Sequence, residues 1–133
     1  MSYLIDTNIA IHLRDRDREI MEKVSRLGRF PALSIMSLVE LEAGVFRDPT
    51  LAMQRRAVLD ALLEGLPILD LDRDVIAAYG QIIASVGFSR AKVIDRLIAA
   101  TAIANDLPLA TINADDFRDI PGLTLDVWAP PAQ

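Results

Sequence analysis

The sequence contains no cysteine and a single histidine, His12. The first absence removes disulfides and thiolate metal sites and fits a reducing compartment, so the cytoplasm is the expected location. The second removes imidazole cages. With neither another histidine nor a cysteine to join it, His12 reads as an ordinary, partly exposed residue and not as a ligand or general base. No run reaches the roughly 18 uninterrupted apolar residues of a membrane span, and no basic segment followed by an apolar one precedes the first apolar stretch. A membrane role is not expected. Internal repeats and low-complexity segments are also missing.

What is present suits one domain. A chain of 133 residues is long enough for a substantial core and too short for two ordinary ones, so residues 1–133 are read as a single unit with 129–133 as a flexible tail. Hydrophobic residues make up 52% of the chain, and mean hydropathy is +0.29. That is high for a soluble domain of this size and implies that another chain covers part of its surface. Fourteen basic against nineteen acidic residues give a net charge of -5. On its own this argues against a nucleic-acid partner. The argument weakens if four of the acids hold a cation, because nineteen less four leaves fifteen acids against fourteen bases, and the ion supplies positive charge where a phosphate would sit.

Tyr3-Leu4-Ile5 reads as a short buried strand, and Asp6-Thr7-Asn8 as the turn that opens a helix. Asp6 is either the helix cap or a carboxylate displayed at the strand's carboxyl end, the edge where open parallel sheets bind ligands. A helix, whole or broken within the charged stretch from Arg14 to Glu22, follows to Leu27 and stops at Gly28. Pro31 to Ile35 forms the second strand. Ser37 and Glu40 then have capping-box spacing, although Leu38, Val39 and Leu41 around Glu40 leave an ionised carboxylate in need of a compensating cation. A helix to about Phe46, another from Asp48-Pro49 to Glu64, a strand over 66–71 and a helix capped by Asp72 follow. Gly87 opens a loop carrying Arg90 and Lys92. With Arg96 these form the one short stretch of clear positive excess and the candidate phosphate contacts. The helix from Val93 to Ala104 is apolar nearly all round from Leu97 onward, hence buried, with Asp95 at its amino end as cap or ligand. Strands over 107–112 and 123–128 complete the chain. Alternating strands and helices predict an α/β fold: a mostly parallel sheet of four to five strands with helices on both faces. Right-handed crossovers would bring the strand-end acids to one edge.

Carboxylates gathered at one edge repel each other unless they share protons or hold a hard cation. Without histidine or cysteine ligands, Mg²⁺ or Mn²⁺ is the natural occupant, and metal-assisted phosphodiester hydrolysis the matching chemistry. The candidate acids are Asp6, Glu40, Asp95 and Asp116.

The same four positions carry a resemblance. Leu4 to Asn8 matches an opening of apolar residues before Asp-Thr-Asn, and Ser37 to Leu41 a Ser or Thr followed by a Glu-Leu pair. Asp95 precedes a Leu-Ile-Ala-Ala run, and Thr111 to Phe117 matches Thr-x-Asn-x-x-Asp-Phe, ending on Asp116. With Ile120-Pro121-Gly122-Leu123 and the late Trp128, the chain resembles over essentially its whole length a PIN domain of the kind found in VapC-type toxins. It departs at Ile112, where many relatives carry Arg, and at Val93-Ile94, where a polar Gly-containing loop is common. The resemblance implies a divalent-metal endoribonuclease that cuts structured RNA such as tRNA or rRNA. It also implies a homodimer neutralised by a cognate antitoxin. Asp6, Asp95 and Asp116 would hold the metal, with Glu40 joining directly or through water, and Thr7, Asn8, Ser37, Thr111 and Asn113 would orient them. Two alternatives stand beside it. A haloacid-dehalogenase-like phosphatase would need a second Asp where Asn8 stands. A catalytically inactive PIN-like module that only binds a partner would be favoured by loss of an acidic motif, and none is lost.

Overall fold

The computed structural model describes residues 2–132. Its centre is strand β1 (Tyr3–Ile5), whose side chains alternate as a strand buried on both faces requires. Tyr3 and Ile5 enter one core, and Leu4 enters the other. Strands β2 (Pro31–Ser34) and β3 (Ile68–Leu69) extend the sheet on one side, and β4 (Leu109–Thr111) and β5 (Leu125–Val127) on the other. The order is β3-β2-β1-β4-β5, and every neighbouring pair is parallel. Strand order therefore reverses about β1, so a crevice opens at the carboxyl ends of β1 and β4, the place where such sheets bind ligands.

Helices cover both faces. Helix α1 (Thr7–Arg14), α2 (Arg18–Leu27), α3 (Ile35–Phe46) and α4 (Ala52–Leu63) lie on the side of Tyr3 and Ile5, where Ile9, Ile20, Leu41, Val45 and Leu59 close the first core. Helix α5 (Arg73–Val86) and α6 (Val93–Ala104) lie opposite, with Val75, Ile82 and Ile98 packed on Leu4 and Leu109. From Leu97 to Ala102, α6 is buried without interruption, as its apolar sequence requires, and Arg96 is buried with it.

Three boundaries refine or correct the sequence reading. The first helical stretch, open to a break in the sequence, is two helices, because Arg16 takes a left-handed φ of 60° and Asp17 starts a new helix by accepting the Ile20 N–H at 3.0 Å. The capping box expected at Ser37 and Glu40 does not form. The chain leaves β2 at Ser34, whose hydroxyl already caps α3 by accepting the Met36 N–H at 3.0 Å, and Ser37 is carried into the buried inner face of that helix. Asp95 caps nothing: α6 begins after Lys92 without a side-chain cap. Strands three to five are also shorter than expected, because flanking residues leave the ladder for the loops.

Beyond Trp128, residues 129–132 have no regular structure, and the Ala132 N–H donates to Glu19 on α2 at 3.0 Å. Gln133, the end of the expected tail, lies outside the described residues. Phe30, Phe46, Met53 and Phe88 stand 63–88% exposed and carry the apolar excess noted in the composition to the surface. No helix among the described residues is long and apolar enough to cross a membrane.

Candidate metal-binding acidic site

Asp6 sits where β1 gives way to α1, and it is only 3% exposed. It both caps α1 and lines an acidic cleft. Oδ1 accepts the Ile9 N–H at 2.9 Å, and Oδ2 accepts the Thr111 hydroxyl at 2.5 Å from the end of the adjacent strand β4. Thr111 is itself held, because its hydroxyl oxygen accepts the Asn113 N–H at 2.9 Å. Burial raises the Asp6 pKa; the bonds from Thr111 and Ile9 pull it down, and the nearby charge of Asp116 pushes it up again.

Glu40 arrives from α3. The Thr7 hydroxyl lies 2.6 Å from Glu40 Oε1 and 2.9 Å from Ser37 Oγ. The Thr7 hydroxyl is the donor in both contacts, so its single proton is shared between the Glu40 carboxylate, the nearer acceptor, and the Ser37 hydroxyl oxygen. Ser37, fully buried, thus fixes the rotamer through which Thr7 holds the carboxylate.

Asp95, half-buried in the first turn of α6, and Asp116, on the 3₁₀ turn Ala114–Asp116, complete the group. A cleft of about 190 Å³ is lined by all four acids, with Thr7, Asn8 and Arg47 among them. Their mutual influence is visible at Asp95, whose pKa is pushed up to about 6, first by burial, then by Asp116, Glu40 and Asp6, with Lys92 opposing. Like charges that raise one another in this way are what a divalent cation relieves, and an all-oxygen donor set suits a hard ion such as Mg²⁺ or Mn²⁺. Among the described residues no three acids stand close enough together to hold an ion between them as placed; they line a shared cleft instead.

The remaining candidates separate. Asn8 is exposed at the cleft. Asn113 contributes through its backbone N–H and borders a depression beyond Asp116. Arg90 and Lys92 are exposed on the 3₁₀ turn before α6. Arg96 departs from the expected phosphate contact: it is 4% exposed, donates to the Gly87 carbonyl at 2.7 Å and faces Asp119 at 3.7 Å. It ties the loop before α6 to the segment after Asp116, and so joins the two stretches that carry Asp95 and Asp116. Asp72, expected as a cap, accepts the Val75 N–H. Arg47 is the residue that the sequence reading missed. Its signal was spacing, since it follows Glu40 by seven residues, two turns along one helix face.

A parallel α/β sheet with four carboxylates at its switch point defines the class, and the chain belongs to the PIN domain family, whose sequence model matches residues 3–123. Within that family it is of the VapC type. It is 30% identical over 138 residues to Ribonuclease VapC2 of Rickettsia felis, an alignment covering 96% of this chain and 98% of the relative. It is 28% identical to the tRNA(fMet)-specific endonuclease VapC of Salmonella typhimurium, with 96% and 98% covered. Among solved structures it superposes on VapBC2 from Rickettsia felis bound to a promoter DNA fragment, with a TM-score of 0.84, 29% identity, and 96% of this chain and 99% of that chain covered.

Proposed function

We propose that the protein is a divalent-metal-dependent endoribonuclease, the toxin of a toxin–antitoxin pair, that hydrolyses phosphodiester bonds in structured RNA such as tRNA or rRNA. The observation that carries this reading is the convergence of Asp6, Glu40, Asp95 and Asp116 on one cleft, with Asp95 raised to about 6 by burial and then by the other three. Relatives named ribonuclease and tRNA-specific endonuclease support it.

Asp6, Asp95 and Asp116 would hold Mg²⁺ or Mn²⁺, with Glu40 joining directly or through water. The ion supplies Lewis-acid stabilisation of phosphoryl charge and lowers the pKa of water. The chain supplies the placement. Thr111 and the Ile9 N–H fix both oxygens of Asp6, and Ser37 through Thr7 fixes Glu40, so the acids meet an incoming ion without first losing rotamer freedom. Glu40, held by one hydroxyl, is placed to accept a proton from an attacking water. Asn8 at the rim is available to orient the substrate.

The same reading supplies the partners. An anionic cleft beside exposed apolar side chains fits an antitoxin segment that inserts a basic residue among the carboxylates. Solved relatives are VapBC pairs. Exposed Phe30, Phe46, Met53 and Phe88 fit a homodimer working in the cytoplasm. Sequencing RNA ends after brief expression tests the activity. Defined new ends that vanish in the Asp95→Asn variant are expected. Cleavage by metal-free protein in excess chelator, at the undiminished rate, would sink the metal-dependent reading.

A further inference from the structure

The cleft of about 190 Å³ admits a phosphate and an ion but not a nucleoside, given that sites enclosing whole organic ligands run to about 300–1,000 Å³. The nucleotides on either side of the bond cut must then lie in adjoining depressions. One, of about 660 Å³, runs between α1, α3 and α4 and shares Ile11, Glu40 and Arg47 with the cleft. Another, of about 470 Å³, lies beyond Asp116, which it shares with the cleft.

Charge distinguishes them. The first sets Arg14, Arg47 and Arg55 against Asp15 and Glu40, whereas the second sets Arg118 against Asp115 and Asp116, with Arg118 already bonded to Asp115. A polyanion entering a protein of net charge -5 gains most where cations exceed acids. Two of the three arginines are engaged: Arg14 pairs with Asp15 at 3.0 Å, and Arg55 donates to the Gly44 carbonyl at 3.2 Å. Arg47 is different. It lines the cleft alongside four carboxylates, yet among the described residues it has no ion pair and no hydrogen-bonded side-chain partner. It is exposed, and it is mounted at the end of the helix that carries Glu40, so its distance along the groove from the acids is set by one rigid element.

We propose that the groove between α1, α3 and α4 carries the RNA strand on one side of the bond to be cut, and that Arg47 receives the phosphate next to the scissile one. This rests on the ribonuclease reading above. A guanidinium offers a planar fork matched to phosphate, and its place where groove meets cleft sets the register of the strand against the carboxylates.

The test is fluorescence anisotropy with a labelled 20-nucleotide mixed-sequence RNA, titrated at several salt concentrations. The proteins are Asp95→Asn, used to suppress cutting, and the same chain with Arg47→Gln, Arg47→Lys or Arg118→Gln added. Arg47→Gln should weaken binding about tenfold and reduce the slope of log affinity against log salt by about 0.7. Arg47→Lys should restore the slope but not the full affinity, and Arg118→Gln should change neither. Melting temperatures with and without Mn²⁺ should stay level, which separates phosphate contact from a charge that merely complements the end of α3. Unchanged affinity and slope in Arg47→Gln overturn the inference. So does a variant that loses only inhibition by a basic peptide, because the groove then serves a protein partner. If Asp95→Asn binds no RNA and the wild type leaves it uncut in Mg²⁺, the ribonuclease reading falls and takes this one with it.

Discussion

Thr111 donates its hydroxyl proton to Asp6 Oδ2 across the junction of β4 and β1, joining residues 105 positions apart at the point where strand order reverses. That bond pulls the Asp6 pKa down against a burial that pushes it up. It helps keep a carboxylate at 3% exposure ionised, as a cation requires.

Replacing Thr111 with Val keeps the shape and removes the donor. The Asp6 pKa should rise further, so the pH at which half the sites accept Mn²⁺ should move upward and affinity at pH 7 should fall. The Asn113 N–H also loses its acceptor, and the fold should lose about 1–3 kcal/mol. Calorimetric Mn²⁺ titrations between pH 5 and 8, with chemical denaturation beside them, check both parts. A pH profile identical to wild type would show that Thr111 does not tune Asp6.

Asp95 predicts a pH dependence of definite sign. Its folded pKa of about 6 lies above the ordinary value of 3.8 that it takes in the unfolded chain, so without metal the folded state binds more protons. Its contribution to stability is complete below the unfolded value and is lost as pH rises through about 6. Metal affinity runs the opposite way, because protons and the ion compete for the same oxygens. Between pH 5 and 7, the metal-free melting temperature of wild type should fall relative to that of Asp95→Asn, while the Mn²⁺-induced shift of wild type should grow. Parallel metal-free curves would mean that neither burial nor the neighbouring carboxylates raise the Asp95 pKa in the folded chain.

Arg96 and Arg47 should fail differently. Arg96→Met leaves the Gly87 carbonyl and Asp119 without their partner and should destabilise the fold by about 1–3 kcal/mol. Because the tie joins the segments of Asp95 and Asp116, Mn²⁺ affinity should fall as well. The salt dependence of RNA binding should not change, since the buried guanidinium meets no phosphate. A reduced salt slope would return Arg96 to the contacts expected from sequence.

Arg96 and Ser37 mark the limit of what sequence could carry. The four acids could be singled out because each lies beside residues with their own pattern: β1 before Asp6, Leu38, Val39 and Leu41 around Glu40, the Leu-Ile-Ala-Ala run after Asp95, the Asn-x-x-Asp-Phe turn at Asp116. The parallel sheet followed from alternation of strands and helices. Arg96 was misread because charge excess along the chain says nothing of which cation turns inward, and its partner Asp119 lies more than twenty residues away. Ser37 was expected at a helix start because the spacing to Glu40 fits a capping box. Ser34, three residues earlier, offered the same hydroxyl where the strand ends. Local patterns give candidates for a cap; only the packing of α3 on the sheet chooses between them.

Asp95→Asn separates site from scaffold most directly. Without metal, the folded chain must hold Asp95 partly buried and near Asp116, Glu40 and Asp6, and burial first, then this proximity, raises its pKa. Asn removes that repulsion and keeps the shape, so metal-free stability at pH 7 should stay level or rise while RNA cleavage disappears, a pairing that marks a residue kept for function at some cost in stability. Metal reverses the comparison. An ion that binds only the folded chain, at a hundredfold excess over its dissociation constant, should add roughly 2.7 kcal/mol to wild type. With Asp95 gone, the Mn²⁺ shift should shrink towards zero at the same concentration. Because Asp95 caps nothing in α6, a loss of helix cap cannot mimic this outcome. Four melting curves decide the matter: wild type and variant, each in chelator and in Mn²⁺. Equal metal shifts in the two proteins would remove Asp95 from the site, and a variant much less stable than wild type in chelator would show that its carboxylate supports the fold.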